Sequence, residues 1–241
     1  MSSTGSRRPG AGGSDAPAGR PRLQPRAQAT RLAILTAAAE HFARHGYHAT
    51  SLERVLADSG GTKGALYFHF ASKEALARAV IAEMVQRWSD LRRQVGELGL
   101  DPLSALLALV DEVIAGLIDD PIAQGGTRLL DELPTGECDA PGRYGFGEHD
   151  AADLLIQAAH AGLLREGIDP AQLARHVVAI VAGHRQICDA LGERHHLQQW
   201  VHSAWALLLP AIATEEWLAA WRVSTRPRPP RHGDISVPET C

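Results

Sequence analysis

The densest chemistry in the 241-residue sequence lies between Thr50 and Lys73. Thr62, Lys63, Tyr67, His69 and Lys73 carry groups that donate hydrogen bonds to phosphate oxygens or base edges. Between them, Gly64 and Ala65 add almost no bulk, which keeps the start of a short helix thin enough to enter a major groove. Ser51 or Thr50 stands where a side-chain oxygen would cap the start of the helix that follows, Leu52–Asp58, and both are grouped with this DNA-facing set. The chemistry expected here is recognition rather than bond breaking. No G-x-S-x-G, H-E-x-x-H, G-x-G-x-x-G or P-loop pattern occurs, so an enzyme is not expected. His195, His196 and Cys138 lack metal-ligand spacing, and neither a metal nor another cofactor is expected.

These residues need a rigid frame. Residues 28–45 predict a helix with Leu35, Ala38, Ala39 and Phe42 on one stripe, ended by Gly46. A second helix is expected over Leu52–Asp58, then a Ser59-Gly60-Gly61 turn, then a third helix over Lys63–Phe68 capped by Thr62. Two short helices joined by a glycine turn and braced by a preceding helix make a helix-turn-helix unit. Leu66, Phe68 and Phe70 include the residues expected to pin the unit to its neighbours. Ser72 caps a long fourth helix to about Leu98, striped by Leu76, Val80, Met84, Trp88, Leu91 and Val95. Helical periodicity continues over Leu103–Asp119, from Pro121 to about Leu133, from about Glu148 to Leu164, over Pro170–Leu191, and in one last helix from Arg194 to about Arg222. Pro134–Gly147 reads as a loop, and no strand alternation stands out.

The expected fold class is therefore all-α, with four regions. Residues 1–25 are expected to form a disordered basic tail with almost nothing to bury, 26–72 the helix-turn-helix domain with its motif at 51–70, 73–222 a helical body, and 223–241 a disordered Pro/Arg-rich tail. Net charge is −4, which alone argues against a nucleic-acid partner. Its distribution reverses that reading: ten Lys/Arg face four Asp/Glu up to Lys73, and fourteen face twenty-four beyond it. A basic module on an acidic body suits a polyanion at one end. The apolar stretch Ala204–Ala213 is too short to cross a membrane. Three cysteines without C-x-x-C spacing fit a reducing, cytoplasmic setting.

The string SLERVLADSGGTKGALYFHF, Ser51–Phe70, followed by SKEALARAV, resembles the DNA-binding domain of TetR-type transcriptional repressors over about Arg31–Val80. Gly61 stands where relatives usually carry an apolar residue. The downstream string DDPIAQGGTRL, Asp119–Leu129, resembles the branch of receptors for γ-butyrolactone, butenolide and furan autoregulators. The resemblance implies a homodimer that binds palindromic operator DNA through its third helices. It implies release by a small-molecule inducer, and control of antibiotic or secondary-metabolite genes.

It also implies a ligand pocket in the helical body. Val85 and Trp88 of the fourth helix, Gln124 and Thr127 of the sixth, and Tyr144 and Phe146 of the following loop are its candidate residues. Trp88 equally suits core packing, and Gln124 and Thr127 a solvated face. His184 is a further candidate, although its apolar stripe favours a buried structural histidine. The last two helices offer apolar faces for pairing across a two-fold axis. In the expected mechanism the fourth helix links the pocket at Trp88 to the DNA module through Lys73. The rivals are a repressor of an efflux or catabolic operon answering a drug or metabolite, an all-α enzyme, and a protein-interaction module with an idle helix-turn-helix.

Overall fold

A computed structural model describes residues 25–133 and 144–223. The fold is all-α: among the described residues there are ten α-helices and one isolated bridge, Leu164 with Ala213. The helices are α1 (Pro25–Ala49), α2 (Leu52–Ser59), α3 (Lys63–His69), α4 (Lys73–Glu97) and α5 (Pro102–Asp119), then α6 (Pro121–Glu132), α7 (Gly145–His160), α8 (Pro170–Leu191), α9 (Leu197–Ile212) and α10 (Glu215–Val223). None of the described helices is long and apolar enough to cross a membrane. Residues 1–24, 134–143 and 224–241, which include the expected tails and Cys138, lie outside the described residues.

Local chemistry sets the helix starts. Ser51, Thr62 and Ser72 cap α2, α3 and α4 through their hydroxyl oxygens, which accept backbone amides. Asp101, Asp120 and Asp169 do the same for α5, α6 and α8, each followed by a proline that needs no amide partner.

Two helices and one side chain depart from the sequence reading. The expected long helix from Arg194 is divided into a 3-10 turn at Arg194–His196, then α9 and α10. Ala213 is extended, so the Ile212 carbonyl accepts the Arg165 amide and the Leu163 carbonyl accepts the Thr214 amide. The break turns α10 back on the body, where the indole of Trp217 donates to Asp101 at 2.9 Å. Helix α7 begins at Gly145, inside the expected loop, and stops at His160 rather than Leu164. Gly162, at φ 69°, supplies the left-handed residue that ends it, with Leu163 N donating to Ala158 O. Finally, Phe68 is not an anchor. Leu66 and Phe70 are buried, while Phe68 is 74% exposed.

The core has two parts. One joins α1, α2, α3 and the first half of α4 through Phe42, Val55, Leu66, Leu76, Val80 and Met84, and it also takes in Ile122 and Leu129 of α6. The other fills the body around α5, α7, α8, α9 and α10. Trp88 packs against both.

Candidate DNA interface and ligand cavity

The short helix α3 buries Leu66 and turns Lys63, Gly64, Tyr67 and Phe68 outward. Thr62 is exposed and accepts the Ala65 amide at 3.1 Å. Ala65 and His69 are half-buried along the sides. Helix α2 is fixed to α1 by His41, whose Nε2 lies 2.7 Å from an Asp58 carboxylate oxygen. The Lys73 ammonium donates to the His48 carbonyl at 3.1 Å and sits 4.7 Å from the Tyr47 ring centre. Burial holds its pKa below the ordinary lysine value. Lys73 thus ties the start of α4 to the α1–α2 junction. Of the two candidate caps, Ser51 holds the Glu53 amide at 3.2 Å. Thr50 is buried and donates to the Gly46 carbonyl at 2.7 Å, so its hydroxyl is an internal brace and not an outward DNA contact.

Helix α6 sits between this module and the body. A Cβ at Gly125 would lie 2.9 Å from Ala39 C and Cα of α1, and closer still to the carbonyl oxygen. One at Gly126 would lie 2.6 Å from the Met84 sulfur of α4. Only glycines allow this approach. At the end of α6, a Glu132 carboxylate oxygen accepts the Tyr47 amide at 2.6 Å, and the other accepts Arg128 Nε at 2.9 Å. Burial opposes the Glu132 charge, but the Arg128 and Tyr47 donors and the nearby His48 outweigh it and leave the pKa below the usual glutamate value.

The opposite side of α6 faces an apolar cavity of about 140 Å³. Its walls are aliphatic, from α5 (Leu106, Val110, Val113) and α8 (Val177, Val181), with Trp88 of α4 and Leu130 of α6. Polar groups converge from Thr127, Asp131, Tyr144, Asp150 and Arg185. Arg185 is buried and paired to Asp131 at 2.7 Å and Asp189 at 3.3 Å. Burial pushes the Asp150 carboxyl above its usual pKa, against the pull of Arg92. An apolar enclosure with a few fixed polar groups is the form of a small-molecule site. A polar cleft of about 420 Å³ adjoins it, sharing Thr127, Asp131 and Arg185 and reaching Ala43 of α1.

The cavity therefore brings together Trp88, Thr127 and Tyr144 from the sequence candidates. Gln124 lines the polar cleft instead, its amide donating to the Ile118 carbonyl at 2.6 Å. Val85 packs partly buried against the core of the helix-turn-helix module and is not among the cavity-lining residues. His184 is half-buried where α8 meets α9, its ring stacked on Trp200 with centroids 6.4 Å apart. It too is absent from the cavity lining. The backbone of Phe146 belongs to α7, but its side chain lies outside the described residues. Sequence reasoning missed Asp131, Asp150 and Arg185. The one available signal was Arg185 and Asp189 at a spacing that pairs across a helical turn.

The fold and its two candidate sites define an all-α helix-turn-helix protein with an apolar cavity in its helical body. The profile of bacterial regulatory proteins of the tetR family matches residues 34–80. The A-factor receptor protein of Streptomyces griseus is 32% identical over 191 residues, which is 79% of this chain but only 66% of that receptor, just under two thirds. A solved structure described as the molecular basis for control of antibiotic production by bacterial hormones is 36% identical, covering 77% of this chain and 98% of that one, at a TM-score of 0.70. A γ-butyrolactone receptor (ArpA-like protein) is 28% identical over 81% of this chain and 94% of that one, at 0.71. The TetR-family protein CprB of Streptomyces coelicolor, solved with its biological operator sequence, is 30% identical over 80% and 93%, at 0.67. The chain belongs to the tetR family of bacterial regulatory proteins.

Proposed function

We propose that the chain is a ligand-responsive transcriptional repressor. It binds a palindromic operator as a dimer and is released by a small signalling molecule of the γ-butyrolactone, butenolide or furan type. Its targets are antibiotic or other secondary-metabolite genes. The module at 26–72 reads DNA and the body at 73–222 binds ligand and dimerises. The observation that carries this reading is the double use of α4 and α6. Trp88, Thr127 and Leu130 wall the cavity, while Met84, Gly125 and Glu132 of the same two helices hold the helix-turn-helix module. Similarity to the A-factor receptor and to CprB, solved in complex with its operator sequence, supports both halves.

In this mechanism the unliganded dimer sets its two α3 helices in successive major grooves, roughly 34 Å apart. Exposed apolar side chains on α8 and α9, among them Ile187, Leu191, Trp200 and Leu207, supply the pairing face. Ligand in the cavity moves α4 and α6, and with them the spacing of the α3 pair. A switch from mostly bound to mostly free needs about 5.5 kcal/mol of differential ligand affinity between the two states.

The test is a gel shift with DNA from upstream of the gene, at stated salt because phosphate contacts make affinity salt-dependent. The expected result is a complex that one of the three effector classes releases. A stable complex that none of them releases would keep the repressor and move its effector to a drug or metabolite. Failure to bind any duplex would favour an interaction module.

A further inference from the structure

Phe68 is the outward residue of α3 to which phosphate chemistry gives no task. It is 74% exposed, and its ring meets His69 edge-on at 5.0 Å. A phenyl ring has no donor for a phosphate or a base heteroatom. What it offers is apolar contact, and the apolar group presented in a major groove is the thymine 5-methyl. Gly64 lies one turn earlier on the same side of α3, four residues before Phe68. A Cβ at Gly64 would meet nothing within 4 Å, so the space beside the ring is open to an incoming base edge. Tyr67, 50% exposed, stands on the other side of this gap and brings the hydroxyl that Phe68 lacks.

We infer that the Phe68 ring and the bare backbone at Gly64 form a notch that receives a thymine methyl group, one per half-site, which makes Phe68 a determinant of operator sequence. The inference rests on the operator-binding function proposed above. An exposed phenyl is poorly accommodated by water, and burial against a methyl on complex formation gives it a partner.

The test begins with duplexes selected from a random pool by the full-length protein. A thymine should be fixed at one position in each half-site. Replacing it with deoxyuridine removes only the methyl and should weaken binding about fourfold per half-site, the value of one buried methyl group. Phe68→Ala should bind thymine and deoxyuridine duplexes alike, whereas Phe68→Leu should keep a preference for thymine. Gly64→Ala, which fills the notch, should lose more affinity for the thymine duplex than for the deoxyuridine one. Both positions face solvent, so thermal unfolding of the variants should show no loss of stability against the wild type. Equal wild-type binding to both duplexes would overturn the inference. So would a Phe68→Ala protein that weakens on both duplexes yet still prefers thymine, the pattern of a sequence-blind sugar contact. Selection of no duplex at all would instead fail the operator-binding function itself.

Discussion

Lys63 and Tyr67 leave the exposed side of α3 with an ammonium and a phenolic hydroxyl, and neither holds a core contact that its removal would break. The double change Lys63→Ala, Tyr67→Ala should therefore leave the melting temperature unchanged and weaken operator binding by at least tenfold, since each side chain carries a contact of about 1 kcal/mol or more. A gel shift beside a thermal scan reads both. Glu132 makes the opposite kind of residue, holding the module to the body. Its pKa is lowered in the fold, so its contribution is fully present above the ordinary glutamate range and is lost as pH falls through the depressed value. Glu132→Gln should cost about 1 kcal/mol at neutral pH, and its stability should fall less steeply than that of the wild type below about pH 5. Equal pH slopes in a denaturation series would remove the charge from this role. Phe68 illustrates what was legible and missed. Leu66 lies inside α3 and Phe68 points about 200° from it, while Phe70 is the extended residue that follows the helix, its amide donating to the Leu66 carbonyl. Helical spacing alone separates the buried Leu66 from the exposed ring of Phe68. Arg185 was not legible in that way. Its burial depends on Asp131, 54 positions earlier in the sequence, and no local pattern encodes that meeting.

Helix α6 is where the two halves of the molecule meet. The backbone-to-backbone approach at Gly125 makes Gly125→Ala an overpacking change against α1, with an expected loss of roughly 1–3 kcal/mol. Gly126→Ala meets the Met84 sulfur, which can swing away, and the Met84 Cβ at 2.9 Å, which cannot, so it too should cost stability, though less than the clash with α1 backbone. Denaturant midpoints of the two variants test the ranking. A crosslink fixing α4 against α6 should abolish induction and spare DNA binding; undiminished induction would exclude these helices as the route. Most elements were readable because their starts carry strong local chemistry, as at Asp101-Pro102, Asp120-Pro121 and Asp169-Pro170. The break between α9 and α10 was not. Its cause is a pairing of residues 212–214 with 163–165, almost fifty positions away, which outcompetes continued helix.

At the scale of the whole molecule, the basic reading module, the apolar cavity and the exposed faces of α8 and α9 form one device if ligand occupancy and DNA affinity are linked. That link is the central claim, and it is tested most directly by the fluorescence anisotropy of a labelled operator at fixed salt. The complex is titrated with a γ-butyrolactone, a butenolide and a furan carboxylic acid, using the wild type and Val181→Trp, a change that fills the cavity from α8. The expected result is release of wild-type protein by one class, with the filled variant binding DNA normally and requiring at least tenfold more effector. Release of the filled variant at the wild-type concentration would contradict control through this cavity.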